Sequence, residues 1–319
     1  MSFYDQKNRI QIYIIRLVTI LKTIYAFTQL ARMSNCVLTG ISVIIGAMCA
    51  NLFIFENGFF RINKHLHIDL LTKAIFSAVF INAAGNAIND WCDKNIDKVN
   101  RPNRPLPKES LKPSSAVLFA TMTFIIGIVF SILVSPVHVF MTIFISAFLI
   151  IYSFWLKNSI LYGNFLIGLL SSATFPFGAL AIGEIQRSWI PAFFAMFFHV
   201  GREIIKDIED IQGDQLQGLK TLPIMFGLPI AKKIALLIFL TLLLFTLWPF
   251  YAEIYGPVYL GVVLTYNALV LYALYLFICT DTNFANGHIG RILKVAMFVG
   301  LTAIALGEFE RSFLSSPAF

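Results

Sequence analysis

The chain has 319 residues, of which 58% are hydrophobic and only 13% charged, at a mean hydropathy of +0.78. That is more apolar surface than one water-soluble core can hide, so lipid is the expected solvent and an all-helical, polytopic membrane bundle the expected fold class. The net charge of +7 is read from its placement in the chain and not as a sign of nucleic-acid binding; no nucleic-acid partner is expected.

In chain order, residues 10–31 come first. They are apolar but interrupted by Arg16 and Lys22, a pattern that predicts a helix lying in the membrane interface, with a tenth span as the alternative. Nine runs long enough to cross a bilayer follow, at 33–55, 69–93, 114–134, 136–156, 160–183, 188–210, 229–250, 256–279 and 288–312; each crossing takes roughly 20 apolar residues. The expected organisation is therefore an interfacial segment over 1–31 and a nine-helix transmembrane domain over 32–319, with a central, lipid-accessible cavity. If the chain enters its first span from the cytoplasm, all but five of the 24 Lys and Arg fall on the cytoplasmic side. Only Arg61, Lys64, Lys73, Arg187 and Arg311 fall on the other. The positive-inside rule then sets the N-terminus inside and the C-terminus outside. Cys36, Cys49, Cys92 and Cys279 are scattered without a CxxC pair and predict neither a zinc site nor a disulfide framework.

The two longest connections, 94–113 and 211–227, lie on the same expected cytoplasmic side, and their Pro, Asn and Gly content predicts structured turns. A repeat leads into each. Asn86, Asp90, Asp93 and Asp97 stand at offsets 0, 4, 7 and 11, and Glu203, Asp207, Asp210 and Asp214 stand at the same offsets 117 positions later. At about 100° per residue each set falls within about 60° of arc, one polar stripe per helix; Gly213 is expected to break the second helix early and leave Asp214 on a loop. Carboxylates at a membrane helix end are costly and so mark a functional site. If the stripes converge, cations must neutralise them. Every clustered ligand is an oxygen donor, which favours Mg²⁺ over zinc or copper, and Mg²⁺ characteristically shares its shell with phosphate oxygens. The missing ligand is thus expected to be a diphosphate, gripped by cations flanking the stripes: Lys98, Arg101, Arg104, Lys157, Arg202, Lys206 and Lys220, with Arg32 at the start of the first span.

The segment NAINDWCDKNIDKVNRPNRPLP at 86–107 resembles the first signature of the UbiA superfamily of integral-membrane prenyltransferases, an NxxxDxxxD run followed by NRPxRP. DIEDIQGDQLQGLKTLPIMFG at 207–227 resembles the second, and YSFWLKNSILYGN at 152–164 resembles the family's YxxxLK and GN stretch. The resemblance implies Mg²⁺ as cofactor and a prenyl diphosphate as donor. It implies metal and diphosphate positions at Asn89, Asp93, Asp97, Asp210 and Asp214, to which the stripe adds Asp207, and diphosphate contacts at Lys157 and Lys220. Within the family, ARMSNCVLTG at 31–40 and GREIIKDIED at 201–210 look most like the enzymes that make digeranylgeranylglyceryl phosphate. That implies geranylgeranyl diphosphate as donor, geranylgeranylglyceryl phosphate as lipophilic acceptor, and Arg32 and Asn35 as holders of the acceptor phosphate. Asp90 or Asp97 is assigned the acceptor's proton. An aromatic or quinone precursor is the alternative acceptor. A cation-coupled transporter is the alternative function, because repeats and membrane carboxylates are also transporter features.

Overall fold

The computed structural model describes residues 3–56, 59–63, 68–279 and 288–314; Lys64, one of the five cations assigned to the far side, lies outside them. A long helix α1 (Phe3–Leu30) is followed after a sharp break by α2 (Met33–Cys49). Arg32 forms the break with left-handed backbone angles (φ 51°, ψ 62°), a conformation that costs a non-glycine residue about 1–3 kcal/mol and is characteristic of functional sites.

The expected first span, 33–55, is corrected here: α2 stops at Cys49, and residues further on form an antiparallel hairpin of β1 (Phe53–Glu56) and β2 (Phe59–Ile62). The fold is thus helical apart from this one hairpin among the described residues. The reason is legible in the chain, where two aromatic-rich runs flank an Asn57–Gly58 pair, a strong hairpin signal. Phe53, Phe55 and Phe60 pack tilted or edge-on against Phe309 and Phe313 near the end of the last helix.

Then come α3 (Ile68–Cys92), a short α4 (Asp97–Asn100), α5 (Pro113–Ile132), and α6 (Pro136–Ile151), which continues as a π-helical turn over Tyr152–Leu156. α7 (Tyr162–Ser172) and α8 (Thr174–Ile182) make one bent span, closed by Gly183 at φ 110°. α9 (Trp189–Glu209), the short α10 (Ile211–Leu216) and α11 (Leu222–Phe226), α12 (Leu228–Tyr251), α13 (Pro257–Cys279) and α14 (His288–Leu314) complete the bundle. Prolines occupy the first turn of α5, α6, α11 and α12, where the missing N–H has no intrahelical partner to lose.

Among the described residues, eight helices are long and apolar enough to cross a membrane by length and composition, and the chain is an integral, multi-pass membrane protein. Seven of the eight coincide with expected spans, and the eighth is Tyr13–Leu30. The other two expected spans are the 17-residue α2 and the 21-residue α9, whose last two turns carry Arg202, Glu203, Lys206, Asp207 and Glu209. Leu118, Phe140, Leu237 and Leu244 are among the large apolar side chains facing outward, as lipid-facing helices require.

Small residues let the helices meet backbone to backbone. α2 crosses α8 so closely that a Cβ on Gly46 would overlap the Phe175 carbonyl and one on Gly178 the Val43 carbonyl, the packing that membrane helices use in place of a hydrophobic driving force. The bundle encloses a cavity of ≈ 270 Å³ lined by α2, α3, α6 to α9 and α12 to α14, with Ile145, Leu149, Leu170, Phe175, Phe198 and Val263 among its apolar wall.

Candidate active site

Both acidic stripes have the same local construction. α3 ends at Cys92 and Asp97 opens α4; α9 ends at Glu209 and Asp214 lies in α10. Asp214 therefore sits on a short helix and not on a loop, and the break falls at Asp210, ahead of Gly213. Helical hydrogen bonds nonetheless span both breaks: Asp93 N–H to Asn89 O at 2.9 Å and Asp97 N–H to Asp93 O at 2.8 Å, Asp210 N–H to Lys206 O at 2.9 Å and Asp214 N–H to Asp210 O at 3.1 Å. Each stripe keeps its register past the end of its long helix.

The two halves are then clamped together. The Asn100 amide donates to the Asp210 carbonyl at 2.9 Å, and its oxygen accepts from Gly213 N–H at 3.0 Å. The Arg101 guanidinium donates to both carboxylate oxygens of Asp210, at 3.0 and 2.8 Å. Gly213 is required for this approach, since a Cβ there would run into the Asn100 amide. Asn100 was not singled out by the sequence, because its partners lie more than a hundred residues away.

Within the motifs Asp90, Asp93, Asp97, Glu203 and Asp214 are buried. Side-chain cations, and not a preformed carboxylate cage, neutralise most of them. Asp90 pairs with Arg32 at 2.5 Å and Arg104 at 3.0 Å, and Arg104 also holds Asp97 at 2.6 Å. Lys157, one residue past the π-helical turn, reaches Asp93 at 2.5 Å, while Asn89 donates to the same carboxylate at 2.8 Å. Glu203 takes Lys206 at 2.9 Å and Arg202 at 3.2 Å. Asp207 accepts from Asn164 at 2.7 Å, a partner standing in the quoted GN pair that sequence reasoning left without a role. Asn86 donates to the Ala31 carbonyl and to Asn82. Lys220 is not drawn in; it is exposed, and among the described residues only its backbone N–H is engaged, by Asn158.

Asp214 stands apart. Its Oδ1 is buried without a hydrogen-bond partner among the described residues, and burial pushes its carboxyl up to about 6, with Lys157 pulling the other way. A buried carboxylate oxygen left open beside an all-oxygen donor set fits a hard cation. Burial also raises Asp97, against the pull of Arg104.

A second cavity, of ≈ 830 Å³, adjoins the first and includes Asp90, Arg101, Arg104 and Glu209 in its wall. Arg32, Asn35, Arg202, Glu203, Lys206 and Lys294 line both. A polar, cation-rich mouth thus leads into an apolar chamber, an arrangement suited to a lipid with a charged head.

Comparison with known proteins agrees with this arrangement. Residues 43–286 match the UbiA prenyltransferase family. Curated relatives include the digeranylgeranylglyceryl phosphate synthase of Methanopyrus kandleri, 33% identical with 87% of this chain and 97% of the relative covered. That of Methanosphaera stadtmanae is 28% identical, with 88% and 98% covered. A solved structure concerned with digeranylgeranylglyceryl phosphate synthase in membranes superposes with a TM-score of 0.66 at 28% identity, covering 90% of this chain and 98% of that one. A UbiA homologue from Archaeoglobus fulgidus bound to GPP and Mg²⁺ shares the fold (TM-score 0.61, 16% identity, 88% and 99% covered). With the family's two acidic motifs clamped together at the mouth of a buried chamber, the chain belongs to the UbiA prenyltransferase family and is a membrane prenyltransferase.

Proposed function

We propose that this enzyme transfers a geranylgeranyl group from geranylgeranyl diphosphate to the glycerol hydroxyl of geranylgeranylglyceryl phosphate, with Mg²⁺ as cofactor. The observation that carries the reading is the clamp of Asn100 and Arg101 on Asp210 and Gly213, which joins the two motifs beside one cavity. The relatives named above support the choice of donor and acceptor.

Asn89, Asp93, Asp207, Asp210 and Asp214 would hold Mg²⁺, and the unpartnered Oδ1 of Asp214 supports this donor set. Among the described residues no three acidic, His or Cys side chains form a ready-made metal cage; water and phosphate oxygens would complete the shell of the ion. When bound, the ion withdraws charge from the diphosphate and so favours scission of the allylic C–O bond. Arg101, Arg104, Lys157, Arg202 and Lys206 grip the diphosphate and stabilise it as it leaves. Arg32 and Asn35 hold the acceptor's phosphate. The apolar chamber takes the prenyl tail and keeps water from the allylic carbon.

As the carbon–diphosphate bond breaks, the acceptor oxygen bonds to that carbon and its proton passes to a carboxylate. Asp97, raised by burial against the pull of Arg104, is the residue suited to take it. Asp90, tied to two guanidiniums, is the better suited to orienting Arg32 and Arg104. In the membrane, nine helices cross from α2 onward, and α1, whose exposed surface carries Arg16 and Lys22 among apolar side chains, lies in the interface. The N-terminus and the motif loops face the cytoplasm and the C-terminus lies outside.

The test uses purified protein with Mg²⁺, labelled geranylgeranyl diphosphate and a panel of acceptors. Ether product and pyrophosphate are expected with geranylgeranylglyceryl phosphate. Turnover of an aromatic acceptor alone would sink the acceptor assignment, and full activity in both Asp93→Ala and Asp210→Ala would sink the site.

A further inference from the structure

Lys294, on α14, belongs to neither acidic motif and pairs with no carboxylate among the described residues. Its ammonium donates to Ser34 Oγ and, at 3.2 Å, to Asn35 Oδ1 at the start of α2. An ammonium has three donors, and these contacts account for two of them.

Of the six residues that line both cavities, Arg32, Arg202, Lys206 and Lys294 are cations and Glu203 is the one anion. The junction therefore carries a formal charge of +3 where the polar mouth meets the apolar chamber. Lys206 and Arg202 share Glu203, and Arg32 shares Asp90 with Arg104. Lys294 alone of the four has no anion of its own among the described residues.

Lys157, Arg101 and Arg104 each touch a motif aspartate directly. Lys294 does not, so it is free to serve a second anion. A phosphate monoester, carrying about −1.5 to −2 charges at neutral pH, matches the uncompensated charge.

We infer that Lys294, with Arg32 beside it, is the cation that recognises the phosphate monoester of the lipid acceptor, set apart from the cations that serve the donor diphosphate. The inference rests on the proposed function and names a specificity residue that the two motifs do not contain. Lys294 also ties α14 to α2 through Ser34 and Asn35, which positions Asn35 for the same phosphate.

The experiment compares initial rates of the reconstituted full chain and its Lys294→Gln and Lys294→Arg variants, with geranylgeranylglyceryl phosphate and with the dephosphorylated lipid as acceptors. In Lys294→Gln the KM for the phosphorylated acceptor should rise at least about tenfold, as the loss of a charge-assisted contact implies. The KM for geranylgeranyl diphosphate should stay within about twofold. Preference for the phosphorylated over the dephosphorylated acceptor should collapse, and Lys294→Arg should restore most of it. An unchanged acceptor KM, or an equal rise in donor KM, overturns the inference. Absence of wild-type turnover with either glycerol lipid overturns the proposed function instead, so the two failures are distinguishable.

Discussion

Asp93 and Asp214 are both proposed metal ligands but differ in their surroundings: Lys157 faces Asp93 at 2.5 Å, whereas Asp214 has an oxygen without a hydrogen-bond partner among the described residues. A buried carboxylate keeps its proton to higher pH, and burial raises Asp214 to about 6. The sign follows: above that value Asp214 is an anion and can ligate, and below it a proton competes with the metal. Titrating Mg²⁺ at successive pH values should show the apparent affinity falling by about tenfold per unit below pH 6. In Asp214→Asn that slope should flatten and the affinity at pH 7.5 should be lower; a slope identical to wild type would remove Asp214 from the metal site. At Asp93 the expected effect is larger. Asp93→Ala leaves Lys157 as a buried cation without its partner and removes a ligand, so kcat should fall by about a hundredfold or more, as measured by pyrophosphate release.

Between elements, two contacts depend on the absence of a side chain. Gly213 lies against the Asn100 amide and Gly178 against the Val43 carbonyl, yet the consequences of filling them differ. Gly213→Ala should unseat the Asn100 clamp, lowering activity while circular dichroism and the thermal midpoint change little, because α10 is short and lies at the bundle's edge. Gly178→Ala should instead push α2 and α8 apart at the bundle's centre and cost about 1–3 kcal/mol of stability, read as a lower midpoint in detergent. If Gly178→Ala proved neutral, the crossing would be looser than described. The same elements show why the sequence could be read so far and no further. The stripes were legible because a 3.6-residue period is a local property, preserved across the breaks by the bonds from Asp97 to Asp93 and from Asp214 to Asp210. The Asn100 clamp, the Asn164 contact with Asp207 and the approach of Lys294 to α2 join residues that are distant in the chain, and no periodicity reports them. The early end of α2 is invisible to hydropathy, which does not distinguish a strand rich in Phe and Ile from the tail of a span.

For the molecule as a whole, orientation follows from where cations gather. Arg101, Arg104, Lys157, Arg202 and Lys206 all stand at the end of the bundle that holds the motifs, so the charges expected to fix topology and those proposed to bind phosphate are the same residues. A soluble diphosphate must then arrive from the side on which the positive-inside rule puts those loops. Cys279 offers a direct probe, because it ends α13 in an exposed position whereas Cys36 and Cys49 are buried and Cys92 is half-buried. In a Cys92→Ser background, a membrane-impermeant maleimide should label Cys279 in inside-out vesicles and leave it unmodified in sealed right-side-out vesicles. The reverse pattern would put the motif loops outside the cell, where the expected donor is not supplied, and would overturn the assigned topology together with the argument from charge.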